Sequence, residues 1–93
     1  MYYKTRDGIT YDLAVFSPEE QKCLEWLKQE FAVARSWTSF QERTASRIIN
    51  LAKKAYGGNW DNHPLYQIQQ DMVANVGIRQ KELQGDISDM FID

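Results

Sequence analysis

The sequence predicts a mainly α fold, with an N-terminal β-hairpin packed on a three- or four-helix bundle. Three features carry this reading. Asp7-Gly8 is flanked by runs rich in aromatic and β-branched residues, the usual surroundings of a tight hairpin turn. Ser17-Pro18-Glu19-Glu20 has the composition of a helix start. From there apolar residues recur at three- and four-residue spacing almost to the end. At 93 residues, 43% hydrophobic and 26% charged, the chain suits one domain, 1–93, with one modest core.

Residues 1–16 form the predicted hairpin. A two-residue type I′ turn at Asp7-Gly8 would pair Arg6 with Ile9, Lys4 with Tyr11 and Tyr2 with Leu13. Tyr2, Ile9, Tyr11 and Leu13 would then share the face available for burial. Two strands alone are marginal in water, so this hairpin must pack on helices or recruit another strand.

Helix 1 is expected over 17–36. Ser17 caps it, Pro18 takes the first helical position and Glu20 completes a capping box. Cys23, Leu24, Leu27, Phe31 and Ala34 form its core stripe, while Trp26 and Val33 lie on a second face. Helix 2 is expected over 39–57, capped by Thr38 or Ser39 and ended by Gly57-Gly58. Phe40, Thr44, Ile48, Leu51 and Ala55 make its main stripe, and Ala45, Ile49, Ala52 and Tyr56 widen it. A narrow face carries Arg43, Arg47, Asn50 and Lys54. Helix 3 is expected over 63–92, with Asn62 or His63 as its cap and Leu65, Ile68, Met72 and Val76 as its stripe. A break near Gly77 is favoured, because a helix of that length would reach about 40 Å and glycine costs it about 1 kcal/mol relative to alanine.

Net charge is −2, which gives no overall pull toward polyanions or acidic membranes. No apolar run reaches the ~20 residues that span a bilayer, and Met1-Tyr2-Tyr3-Lys4 lacks the apolar stretch of a signal peptide. Cys23 is the only cysteine, so no intrachain disulfide can form; a reducing, cytoplasmic setting is expected.

The run from Gln70 to Ile87 resembles a helix-turn-helix motif. In that family a small residue precedes the turn glycine by four positions, apolar residues flank the glycine, and another follows about six beyond. Val73, Val76, Gly77, Ile78 and Leu83 occupy those places, although Val73 replaces the usual alanine and the next core position falls on Asp86, with Ile87 one residue late. The resemblance covers about a quarter of the chain. It implies that Arg79, Gln80, Lys81 and Gln84 face DNA, with Arg43 and Arg47 holding its backbone. Charge opposes it: from Leu65 to Asp93 two basic residues stand against five acidic ones, and phosphate binding normally supplies most of the non-specific affinity.

No catalytic constellation is visible. His63, the only histidine, sits before Pro64 in a turn, where capping is its expected use. Asp61 and His63 could touch a metal ion, but two ligands do not complete a site. Cys23 lies on a core stripe, and there is no phosphate loop or nucleophile elbow. No metal or cofactor is expected, and no enzymatic activity.

What remains is surface. Trp26, Trp37 and Trp60 sit off the stripe or near connections, and aromatic residues concentrate at interface centres. Thr38–His63 carries four basic residues against two acidic ones, with Arg43, Arg47 and Lys54 aligned on one face. The terminal Leu83, Ile87, Met90 and Phe91 add more apolar material. The expectation is a non-enzymatic protein–protein interaction module, a regulator, adaptor or inhibitor, acting as a homodimer without membrane association. Trp26, Val33, Arg43, Arg47 and Lys54 are its candidate partner-binding residues, and DNA binding through 70–87 is the alternative.

Overall fold

The computed structural model describes residues 1–83 and 91–92, for 77–83 and Ile92 by backbone alone. The described part is mainly helical, with an N-terminal antiparallel hairpin and three α-helices.

Strands β1 (Tyr2–Lys4) and β2 (Thr10–Asp12) pair as Tyr2 with Asp12, Tyr3 with Tyr11 and Lys4 with Thr10. This is one residue out of the register that a two-residue turn implies. The loop is three residues long: Gly8 N–H donates to Thr5 C=O at 3.1 Å, Thr5 N–H donates to Ile9 C=O at 2.8 Å, and Gly8 has φ +96°. A three-residue loop of this kind closes with a left-handed glycine as its last residue, so Asp7 need not share the positive φ. Thr5 Oγ1 reinforces it, donating to Asp7 Oδ1 and accepting from Ile9 N–H. Because side chains alternate along a strand, the slip exchanges the faces of β1, while Tyr11 of β2 packs half-buried against the core as expected. Tyr3 and Thr5 turn inward, while Tyr2 and Ile9, expected inside, are exposed. Leu13 is buried as expected, but from a 3-10 turn, Leu13–Val15, that follows β2.

Helix α1 (Pro18–Val33) begins with the expected capping box: Glu20 N–H donates to Ser17 Oγ at 3.2 Å and Ser17 N–H to Glu20 Oε1 at 2.8 Å. Cys23, Leu24, Leu27 and Phe31 are buried on its stripe, and the helix ends three residues before 36 with Ala34 as its C-cap. Helix α2 (Trp37–Tyr56) starts earlier than expected, because Ser36 is itself a competent cap and accepts from Ser39 N–H at 3.1 Å. Trp37 is therefore helical. The buried seam of α2 is Phe40, Thr44, Ile48 and Ala52; Leu51 is half-buried, and Ala55 and Tyr56 are exposed. Gly57 ends the helix at φ +59°, and a 3-10 segment, Gly57–Asn62, leads onward.

Helix α3 (Pro64–Leu83) runs through Gly77 without a break. The expected turn is absent, and with it the bend that a helix-turn-helix requires. A glycine penalty of about 1 kcal/mol is small beside the burial of one large apolar side chain, and Leu65, Ile68, Met72 and Val76 are all fully buried just before it. The helix also stops short of 92: Phe91–Ile92 forms strand β3, which pairs antiparallel with β1 as Tyr2 with Ile92 and Tyr3 with Phe91. The sheet order is β2-β1-β3, so the extra strand that the hairpin needed comes from this chain. Phe91 packs edge-on to Tyr3 at 5.1 Å and lies 4.5 Å from Lys28 Nζ, removing it from the terminal apolar surface expected for association. Gln84, Ile87 and Met90 lie outside the described residues, as do the side chains of Arg79, Gln80, Lys81 and Leu83.

Two polar clusters help to join the layers. Gln69, fully buried on α3, donates to Gln41 Oε1 and Thr44 Oγ1 of α2, both at 3.1 Å, and accepts from Gln70 Nε2. Asp71 accepts from Tyr3 Oη at 2.7 Å and from Arg6 N–H at 3.1 Å, fastening strand and loop to α3. A buried tyrosine hydroxyl without an acceptor costs about 1–3 kcal/mol. Asp71→Ala should therefore destabilise the protein by about 1–3 kcal/mol, and Tyr3→Phe by about 1 kcal/mol, in urea unfolding. The double variant should lose less than the two singles together, because both remove the same bond. Strict additivity would show that the bond contributes nothing.

Candidate interaction surface

The candidate residues come together along the outer seam between α1 and α2. Phe31 meets Phe40 edge-to-face at 5.9 Å near the connection, and the two helices run back past each other. Three cross-helix pairs follow. Glu30 Oε2 lies 3.1 Å from Arg43 Nε, and Arg43 Nη2 donates to Glu30 Oε1 at 3.3 Å. The Arg47 guanidinium carbon lies 4.5 Å from the Trp26 ring centroid. Glu19 Oε2 lies 3.5 Å from Lys54 Nζ. On α1 the steps between these residues are seven and then four; on α2 they are the same steps in reverse. This is the signature of two antiparallel helices in one fixed register.

The face read as a separate basic row is thus half of a seam whose other half, Glu19, Trp26 and Glu30, comes from α1. Sequence reading placed Trp26 and the three cations but missed both glutamates. Their mirror-image spacing was the available signal. Each pair is worth little alone. Glu19 and Lys54 side chains are 62% and 75% exposed, where an ion pair contributes about 0–1 kcal/mol, and an exposed cation–π contact adds about 0.5–1 kcal/mol. Their main effect is to fix register and hold long side chains in defined places.

An open groove of about 490 Å³ lies on this seam, bordered by Glu19 and Trp26 of α1 and by Arg43, Arg47, Asn50 and Leu51 of α2. A smaller hollow of about 150 Å³ adjoins the α1–α2 corner and includes Val33, Glu30, Ser39 and Arg43. Arg43 borders both, so Trp26, Val33, Arg43 and Arg47 belong to one continuous surface, with Lys54 at its far end. Val33 is 66% exposed and Trp37, four residues on, 59%. The other tryptophans are half-buried: Trp26 under Arg47, and Trp60 edge-on to Tyr66 at 5.0 Å with Lys53 beside it.

Three titratable groups elsewhere, Cys23, His63 and Glu20, are engaged in packing and capping. Burial pushes the Cys23 thiol up to about 11, against the opposing pull of Arg47, so it stays protonated near neutrality. His63 is buried and caps α3: its Nδ1 accepts from Leu65 N–H at 2.9 Å and its backbone carbonyl accepts from Gln67 N–H. The proton therefore sits on Nε2, which lies 2.5 Å from Glu20 Oε2. Both ring nitrogens are occupied, leaving neither for the metal contact considered with Asp61. No helix among the described residues is long and apolar enough to cross a membrane.

Burial alone would raise the Glu20 carboxyl, but hydrogen bonding with Ser17 and then with His63 outweighs it and holds it below its usual 4.5. A depressed carboxylate stabilises the fold above its unfolded value, and that contribution disappears as pH falls through the folded value. Glu20→Gln should therefore be less stable than the parent at neutral pH, and the gap in urea midpoints should narrow steadily below pH 4.5. A gap independent of pH would show that the charge on Glu20 is immaterial. Comparison of the chain with protein-family models, with curated proteins and with solved structures finds no match.

Proposed function

We propose that this protein is a non-enzymatic interaction module, a regulator, adaptor or inhibitor, whose working surface is the α1–α2 face and whose own second copy docks at the corner of that face. One observation carries the reading. Val33 and Trp37, among the most exposed large apolar side chains of the described residues, stand four residues apart at the α1–α2 corner, and Val33 borders the hollow that Arg43 shares with the groove. Burying an aromatic side chain of this size is worth about 1.5–3 kcal/mol, and such residues concentrate at the centres of interfaces. Arg43 and Glu30, already paired, would form a polar border around them.

A C2 pairing through this corner would place Val33 and Trp37 of one copy against those of the other, since a two-fold contact uses the same patch twice. Candidate residues Trp26, Arg47 and Lys54 would stay outside the contact, on the remaining length of the groove, available to a different protein partner.

Light scattering should return twice the mass of one chain at about 100 μM, and Val33→Asp or Trp37→Ser should return the mass of one chain with unchanged helicity. A parent that stays monomeric at that concentration would overturn the homodimer.

A further inference from the structure

We infer that the α1–α2 groove binds an acidic peptide segment through Arg47, a carboxylate of the partner meeting the guanidinium while an adjacent apolar side chain lies against Trp26 and Leu51. The inference rests on the α1–α2 face being the working surface, and it names the partner's chemistry.

The seam itself supplies the argument. Arg43 has Glu30 and Lys54 has Glu19, but Arg47, between them, meets no carboxylate among the described residues; its contact is the Trp26 ring. A ring face attracts the positive charge yet offers no lone pairs, so among the described residues the five N–H donors of Arg47 lack an acceptor. The residue is exposed and borders the groove, with exposed Ser46 and Asn50 beside it as further hydrogen-bonding groups. Trp26 limits the freedom of the arginine in advance, which lowers the entropy lost when an acceptor arrives. Half-buried Trp26 and Leu51 supply apolar wall within the same groove. About 490 Å³ is room for a few side chains rather than a folded surface.

Charge distribution selects the class of ligand. The groove face carries Arg43, Arg47 and Lys54 against Glu19 and Glu30, a net +1, whereas the whole chain carries −2. A short carboxylate segment meets only the local field, while a long polyanion meets the repulsion of the rest of the molecule as well. This favours an acidic peptide over nucleic acid.

The test is fluorescence anisotropy of a fluorescein-labelled peptide, Gly-Glu-Leu-Glu-Glu-Leu-Glu-Gly, titrated with the full chain. Its counterpart with every glutamate replaced by glutamine, a short duplex DNA and inorganic phosphate as competitor form the other arms. The acidic peptide should bind, and more weakly as salt rises from about 50 to about 500 mM. Replacing its glutamates, or Arg47→Gln in the protein, should weaken binding roughly 10- to 100-fold, the loss expected for one charged hydrogen-bonded contact. Glu30→Gln releases Arg43 from its partner and should tighten binding, a gain that a damaged fold would not produce. The inference is overturned if the acidic peptide fails to bind, if the glutamine peptide binds equally well, or if Arg47→Gln has no effect. Unchanged or weaker binding by Glu30→Gln, or preference for the duplex or for phosphate, would overturn it too. Dimerisation through Val33 and Trp37 is read by mass alone, so a dimer that ignores the peptide sinks this inference and leaves the homodimer standing.

Discussion

The contact between Arg47 and Trp26 sits between two cross-helix ion pairs, and the surface described above depends on the register that places it there. Phe31 and Phe40 set the crossing near the connection, and each later pair on the seam follows from it by the helical repeat. Shift one helix by a single residue and all three pairs are lost together, because a helical residue turns through about 100°. None of the pairs is strong. Their combined effect is positional: they hold long side chains at defined places on an open face, which is the arrangement a recognition surface needs.

The rest of the fold explains why that face is left open. Helix α2 spends its buried seam on α1 and α3, with Thr44 joined to Gln69 across the α2–α3 contact. Helix α3 carries the Asp71 clamp that fastens the sheet. The sheet is completed within the chain by β3, so its inner edge does not wait for a partner. The ionisable groups Cys23, Glu20 and His63 are likewise committed, as a packed thiol and as caps. Arg47 is different in kind: its charge is held by a ring, and among the described residues its donors meet no acceptor.

Much of this was legible in the residues, unevenly. Ser17-Pro18-Glu19-Glu20 announced its capping box, Gly57 the positive-φ end of α2, and the stripe from Leu65 to Val76 its burial, because each depends on neighbours within a turn or two. The hairpin was found but set one residue out: Asp-Gly fits a two-residue or a three-residue loop, and the choice rests on Tyr3 reaching Asp71, a contact across 68 positions. Gly77 looked like a break because its local cost was visible and the packing that offsets it was not. Phe91 fell inside the expected helix 63–92, although its place was decided by the second edge of β1. The candidate surface was legible as two separate halves, the aromatic face of α1 and the basic row of α2. The mirrored steps that unite them could have been read from Glu19, Trp26 and Glu30 beside Arg43, Arg47 and Lys54.

The proposed function requires the α1–α2 face to meet another polypeptide; the Trp26 and Trp37 indole N–H signals report on that face, and Trp60, packed against Tyr66, is the control. In a two-dimensional NMR spectrum followed across dilution, the account predicts that the Trp37 indole moves with concentration while the Trp60 indole, set against Tyr66, stays in place. Addition of an acidic peptide should then move the Trp26 indole. Three stationary indoles, or movement at Trp60 alone, would place any association elsewhere and contradict the account.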